Sequence, residues 1–465
     1  MMCTVNSLDS RPIPLWYDEA KLGIFMHWGV YSVPSYSGAW FWKSWADGDV
    51  ADVNFMGSNF KPKFSYPEFG PEFRAGFFEP DEWAQLIKSS GAKYFVPTSK
   101  HHEGFTNWPS RYSWMWNSVD VGPKRNIIKE LREAILKVGG VRWGLYFSQY
   151  EFFHPLYLQD KAAGGRRNDY VRTVSQPQLH ELVSSYPPDV IWSDGDWEQS
   201  WQYWNSTQFL AWLYTSSQVA SSVVVNDRWG LGTAGKHGDF YNYADKYNPG
   251  HLLPHKWENA MTLDGKAWAY RRLLQSHDVL TLPQLIQALA STVSCGGNLL
   301  LNVGPTKDGR IAALFEERLR ELGSWLSING EALYASKPWI YQNDTLTPHV
   351  WYTSKMTKDE NWAPRRLFNP QKENETIVYA WFTSWPNTGI LKLGAVKLAA
   401  NSGAELLGSK APISLRPSAS CGILVDLRNV GLPALPSVSG WVLRFTRLAT
   451  QQRQPYIATP AFSKQ

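Results

Sequence analysis

The chain has 465 residues, 43% of them hydrophobic and 19% charged, with 46 Lys and Arg against 41 Asp and Glu and a net charge of +5. This mild, unclustered balance predicts no nucleic-acid footprint, and the charged fraction is too low for a charge-driven disordered chain. No apolar stretch reaches the ~18 residues of a membrane span, and three cysteines (Cys3, Cys295 and Cys421) make no disulfide framework. In chain order, the N-terminal segment has neither a charged n-region nor an apolar h-region, so no signal peptide is read there. The first apolar run is Leu22–Met26. A helical pattern over Asp81–Ser90, with Trp83, Leu86 and Ile87 on one face, leads into the run Tyr94–Pro97. Asn126–Lys137 repeats that helical spacing and leads into Trp143–Phe147. The runs Val190–Trp192, Val223–Val225 and Leu299–Val303 follow, with helical patterns over Leu282–Val293 and Ala313–Leu326.

Continuous rather than alternating apolar runs suit strands buried on both faces of a parallel sheet. Strand–helix alternation sustained over roughly 300 residues predicts a (β/α) barrel or an open doubly wound sheet. No glycine-rich dinucleotide fingerprint follows the first run and no P-loop occurs. After residue 340 helical periodicity stops. Thr376–Phe382, Gly389–Leu393, Gly422–Leu427 and Gly440–Thr446 are short runs set between Pro, Gly and Asn, which predicts a small antiparallel β domain. Lys355–Glu375 reads as a long polar loop. The expected division is a strand–helix domain over 1–340, a small antiparallel β domain over 341–452 and a tail over 453–465.

In a parallel barrel, polar residues at the strand C-termini gather at one mouth. Here they recur run after run: His27 and Trp28, then Lys100-His101-His102-Glu103, then Ser148 to Glu151, then Trp192-Ser193-Asp194-Gly195-Asp196-Trp197-Glu198, then Asn226-Asp227-Arg228-Trp229. Carboxylates on different strands suit glycoside hydrolysis. The chain also holds 25 tryptophans, whose flat, half-polar rings suit sugar faces. His27, His101, His102 and an Asp have zinc-ligand chemistry. However, neighbouring histidines on a strand point apart and no H-E-x-x-H helix is present, so no metal is expected.

At these residues the sequence resembles the α-L-fucosidases of glycoside hydrolase family 29, the animal lysosomal (tissue) type in particular. The resemblance runs from about Ser7 to about Leu448. Its stretches include KLGIFMHWGVYSVP, TSKHHEGFTNWPS, PDVIWSDGDWE, VVVNDRWG and GGNLLLNVGPTKDG. It implies an α/β fold, a (β/α)8-like (TIM-type) catalytic barrel followed by a C-terminal antiparallel β-sandwich. It further implies a retaining double displacement on fucosylated glycans, without metal or cofactor, in a lysosomal or secreted setting. Family members often form homo-oligomers, and no interface is legible in this sequence.

Carried over by motif, Asp194 matches the nucleophile. His27, His101 and His102 match residues that hydrogen-bond the fucose hydroxyls, and Arg228 matches an arginine beside the sugar. Trp40, Trp192 and Trp268 match aromatic walls. Two carboxylates compete for the acid/base role: Asp245, favoured by spacing, and Glu258 in the KWE segment. Two positions depart from the family pattern. Ala39 stands where many members have a sugar-binding Glu, a contact worth about 1.5–3 kcal/mol, which leaves a fucose-binding homologue with weak or no catalysis as the alternative. Ala260 replaces a Cys for which the mechanism has no use.

Overall fold

Each apolar run of the first three-quarters of the chain becomes a strand sealed on both faces, because helices cover one side and the barrel interior the other. The computed structural model describes residues 5–356, 376–418 and 422–451. Its first strands are β1 (Leu22–Met26), β2 (Tyr94–Lys100), β3 (Arg142–Ser148), β4 (Val190–Asp194), β5 (Val224–Val225), β6 (Trp257–Thr262) and β7 (Gly297–Val303). All pair in parallel, in the order β5-β4-β3-β2-β1-β7-β6. The first strand therefore lies between the second and the last, as a closing barrel requires.

Closure is completed by irregular backbone. The Asp239 N–H donates to the Val225 carbonyl at 3.0 Å, the Tyr241 N–H to the Lys256 carbonyl at 2.9 Å, and the Glu258 N–H to the Tyr241 carbonyl at 2.9 Å. Residues 239–242 thus stand where an eighth strand would, between β5 and β6. The helices Pro80–Ser89, Ile127–Val138, Leu282–Ser294 and Ala313–Asn329 form over the predicted patterns. Ile127–Val138 starts where the Asn126 side chain accepts the Lys129 N–H at 3.0 Å. Its buried face is Ile127, Ile128, Leu131, Ala134 and Ile135.

The sequence reading missed β6. Its Trp-Glu-Asn-Ala-Met-Thr sequence is half polar and shows no apolar run, yet only Met261 escapes full burial. Its one charged side chain, Glu258, is tolerated there because donors from distant parts of the chain satisfy it, as described below.

The C-terminal part is antiparallel. Strands β8 (Lys337–Asn343), β9 (Trp351–Met356), β10 (Thr376–Phe382), β11 (Ile390–Leu393), β12 (Leu398–Leu406), β13 (Ser414–Pro417), β14 (Ile423–Asp426) and β15 (Trp441–Leu448) form two sheets, β12-β15-β10-β9-β8 and β11-β14-β13. One core, including Trp339, Tyr352, Phe382, Leu393, Ile423 and Phe445, lies between them. Lys355 and Met356 belong to β9 rather than to a loop, because their backbone pairs with β10. The rest of the expected loop, 357–375, and the expected tail, 453–465, lie outside the described residues. The two parts of the chain meet where the Trp325 indole N–H donates to the Gly440 carbonyl at 2.9 Å.

Candidate active site

The C-terminal ends of the barrel strands converge on a half-open cleft. His27 enters from the end of β1, His101 and His102 from β2, Asp194 from β4 and Arg228 from the turn after β5. Trp40, Trp192, Asp245 and Trp268 complete the predicted set on its walls. Of the predicted residues only Glu258 does not reach it. Phe25, Tyr146 and Trp197 also line the cleft and were not predicted. A signal for two of them existed. Side chains repeat every second residue along a strand, so Phe25 shares the face of His27, and Tyr146 that of Ser148, just as Trp192 shares that of Asp194.

Asp194 is held from two sides. The Tyr146 hydroxyl donates to Oδ2 at 2.7 Å and Arg228 Nη1 donates to Oδ1 at 3.0 Å. Burial raises the Tyr146 phenol well above its ordinary value, so it stays a donor. Arg228 Nη2 donates to Asp245 Oδ1 at 2.5 Å and also to Asn242. The guanidinium lies 4.7 Å from the Trp192 ring centroid. Burial works against this cation, but Asp245 and Asp194 outweigh it and keep Arg228 charged. The same contest runs in Asp245: burial opposes its ionisation, and Arg228 wins, holding the carboxyl below the usual range. The Asp245 side chain is 48% exposed, against 11% for Asp194.

The three histidines are neutral. Burial pushes His27 down to about 3 and His101 down to about 4, and moves His102 well below its ordinary value. Their tautomers follow from their neighbours. The Asn302 amide N–H₂ donates to the Trp268 carbonyl at 2.6 Å, which turns its oxygen toward His27 Nδ1 at 2.7 Å. Nδ1 of His27 therefore carries the proton and Nε2 is an acceptor. Ser148 Oγ donates to the Tyr150 carbonyl at 2.7 Å and so accepts from His102 Nδ1 at 2.7 Å. Nε2 of His102, 3.6 Å from Asp194 Oδ2, is likewise an acceptor, suited to a hydroxyl lying between them.

Glu258 lies beneath the cleft. Its Oε2 accepts from Tyr17 at 2.7 Å and Tyr94 at 2.6 Å, and its Oε1 accepts from the Trp192 indole at 2.9 Å. Burial raises its carboxyl, and the three donors oppose that. Ala39 is buried against Tyr31 and Ala269. Among the described residues no three His, Cys, Asp or Glu side chains form a group fit to hold a metal ion.

The cleft combines two reachable carboxylates with apolar rings and neutral hydrogen-bonding imidazoles, a surface for an uncharged, partly apolar sugar. Residues 2–331 match the family described as "Alpha-L-fucosidase", and residues 342–446 match "Alpha-L-fucosidase C-terminal domain". The human plasma alpha-L-fucosidase is 49% identical over 447 residues, 96% of this chain and 92% of that protein. The human tissue alpha-L-fucosidase is 47% identical over 441 residues, 95% of this chain and 90% of that protein. The crystal structure of Thermotoga maritima alpha-fucosidase in complex with a mechanism based inhibitor matches with a TM-score of 0.75 and 28% identity, covering 95% of this chain and 98% of that one. From fold, cleft and relatives alike, the chain belongs to the α-L-fucosidase family of glycoside hydrolases.

Proposed function

We propose that the chain is a retaining exo-α-L-fucosidase that removes terminal α-L-fucose from glycoproteins, glycolipids or oligosaccharides through a covalent fucosyl-enzyme. In the first step an Asp194 oxygen attacks the anomeric carbon and the glycosidic C–O bond breaks. Asp245 gives its proton to the leaving oxygen. In the second step Asp245 takes a proton from water, which attacks the same carbon and releases Asp194.

The carrying observation is that Asp194 and Asp245 share one guanidinium. While Asp194 is ionised, its charge offsets Arg228 and eases protonation of Asp245. Once Asp194 is an ester, Arg228 acts on Asp245 alone and favours the carboxylate that the second step needs. The pull of Arg228 toward the carboxylate form is thus weaker in the first step and stronger in the second, the direction that the acid and base roles require. Glu258, sealed under three donors, is read as structural. His27, His101, His102 and Arg228 serve as contacts to the sugar hydroxyls and the reacting end. Trp40, Trp192 and Trp268 serve as walls, with an apolar surface for the sugar's methyl group.

The same reading assigns 1–340 to catalysis and 341–452 to a supporting sandwich, although β8 straddles residue 340. Relatives named tissue and plasma alpha-L-fucosidases support a lysosomal or secreted place of action. No helix among the described residues is long and apolar enough to cross a membrane.

Hydrolysis of an aryl α-L-fucoside tests the assignment. Asp194→Ala is expected to abolish turnover. Asp245→Ala is expected to spare activated leaving groups, to slow poor ones and to be partly rescued by azide. If Asp245→Ala behaves as wild type while Glu258→Ala shows this pattern, the acid/base assignment is overturned. The anomeric configuration of the first-formed fucose tests retention.

A further inference from the structure

His27 and His102 have their Nδ1 atoms engaged by Asn302 and Ser148, but His101 Nδ1 has no such bond. The Glu103 carboxyl approaches it, with Oε2 at 3.4 Å. Both side chains are buried, and neither His101 Nδ1 nor Glu103 Oε2 has a hydrogen-bond partner among the described residues. Two orphaned polar atoms facing each other in an apolar wall are costly unless they pair. Contacts of this kind commonly tighten once substrate is bound.

The wall is shaped around this carboxyl. A Cβ at Gly29 would stand 3.1 Å from Glu103 Oε1 and 3.0 Å from the Tyr31 ring. The charged and titratable groups around it are few. Lys100 has its ammonium bound to Glu151 at 3.1 Å, to Tyr170 and to Gln178. Tyr31 and Tyr66 are buried phenols that stay protonated. Burial pushes Glu103 up to about 8, with Glu151 adding to the rise and Lys100 opposing it.

We propose that Glu103 is a positioning residue: its protonated carboxyl donates from Oε2 to His101 Nδ1 and thereby fixes the tautomer that turns Nε2–H toward a fucose hydroxyl. The three imidazoles then offer two acceptors, on His27 and His102, and one donor, on His101. A sugar hydroxyl both donates and accepts, so this mixture selects one orientation of the ring's hydroxyls, whereas three acceptors would not. When Glu103 ionises, Nδ1 of His101 must carry the proton and the one donor is lost. The proposal rests on the reading that His101 contacts the sugar.

The test is the inhibition constant of free L-fucose measured from pH 5 to pH 9. Wild type is expected to lose affinity, by about tenfold, as pH rises through 8. Glu103→Gln, whose amide donates but cannot ionise, is expected to bind as wild type below pH 8 and to show no such bend. Glu103→Leu is expected to bind fucose about tenfold more weakly at every pH, with kcat on an aryl fucoside changing less than KM. A bend that persists in Glu103→Gln, or wild-type binding by Glu103→Leu, overturns the proposal. If Glu103→Leu does not fold, the Glu103→Gln profile still decides. His101→Ala separates the layers: unchanged fucose binding there overturns the role of His101 itself, whereas weakened binding with an unaltered Glu103→Leu overturns Glu103 alone.

Discussion

Asp194 and Asp245 are bridged by Arg228, which donates Nη1 to the first at 3.0 Å and Nη2 to the second at 2.5 Å. A lysine has one nitrogen and cannot bridge both with fork geometry. Arg228→Lys is expected to lower kcat/KM about 100-fold. It also relieves the downward pull on Asp245. The alkaline limb of kcat/KM, where the free enzyme's acid loses its proton, is expected to move to higher pH. A limb that stays in place would mean that Asp245 is not the titrating acid.

Glu258 accepts from Tyr17, Tyr94 and Trp192, all buried. Glu258→Leu leaves three donors without an acceptor and is expected to destabilise the fold by about 3 kcal/mol or more. Glu258→Gln, which keeps an acceptor oxygen, is expected to lose less. Urea unfolding gives both values, and an undiminished midpoint for Glu258→Leu would refute the structural reading.

His27 at about 3 and His101 at about 4 lie below the roughly 6.5 of an unfolded histidine. Between those values the unfolded chain binds more protons than the folded one, so stability falls as pH drops from 6.5 toward 3. Protonation of a buried imidazole opposes folding here. Tm is expected to decline over this window, and His27→Asn to flatten the decline. Fucose affinity, which uses the neutral rings, is expected to hold level from pH 7 to pH 5.

Asp18 receives Lys21 at 3.3 Å, Lys256 at 2.9 Å and also Lys337, all buried. It ties the helix Leu15–Ala20 to the segment before β6 and to the start of β8. Burial resists its ionisation, but the three ammonium groups outweigh that and hold the carboxyl far below the usual range. Its stabilisation is therefore present above roughly pH 4 and lost only in strong acid. Asp18→Asn strands the ammonium groups and is expected to cost about 3–5 kcal/mol at pH 7 by urea unfolding.

Trp40 and Trp197 stand at the cleft mouth, 40% and 38% exposed, with ring centroids 5.8 Å apart. Trp197→Ala is expected to raise KM for a fucosylated oligosaccharide by up to about tenfold. The effect on a small aryl fucoside should be weaker, since the aryl group spans less of the rim. Equal effects on both substrates would place Trp197 against the fucose instead.

The strand-end residues were legible because their signal is local. A buried parallel strand is a continuous apolar run, and its first polar residues mark the barrel mouth. His27, His101, His102, Asp194 and Arg228 all sit at such positions. Asp245 was harder, because it lies on irregular backbone with no periodic pattern, and only the resemblance pointed to it. Strand β6 was not legible at all, because it has no apolar run and its buried carboxylate, Glu258, is satisfied by groups more than 60 positions away in sequence.

The amino-acid sequence alone therefore determined the parallel strand–helix alternation, the family resemblance that implied a barrel, and the residue types at the strand ends, since each follows from apolar periodicity or contiguous motifs. The tertiary structure decided which carboxylates face solvent and which lie sealed beneath the cleft. It also decided that Asp194 and Asp245 share one guanidinium and that Glu103 faces His101 Nδ1. Those relations depend on burial and on distances across the barrel, and neither is a property of any single stretch of chain.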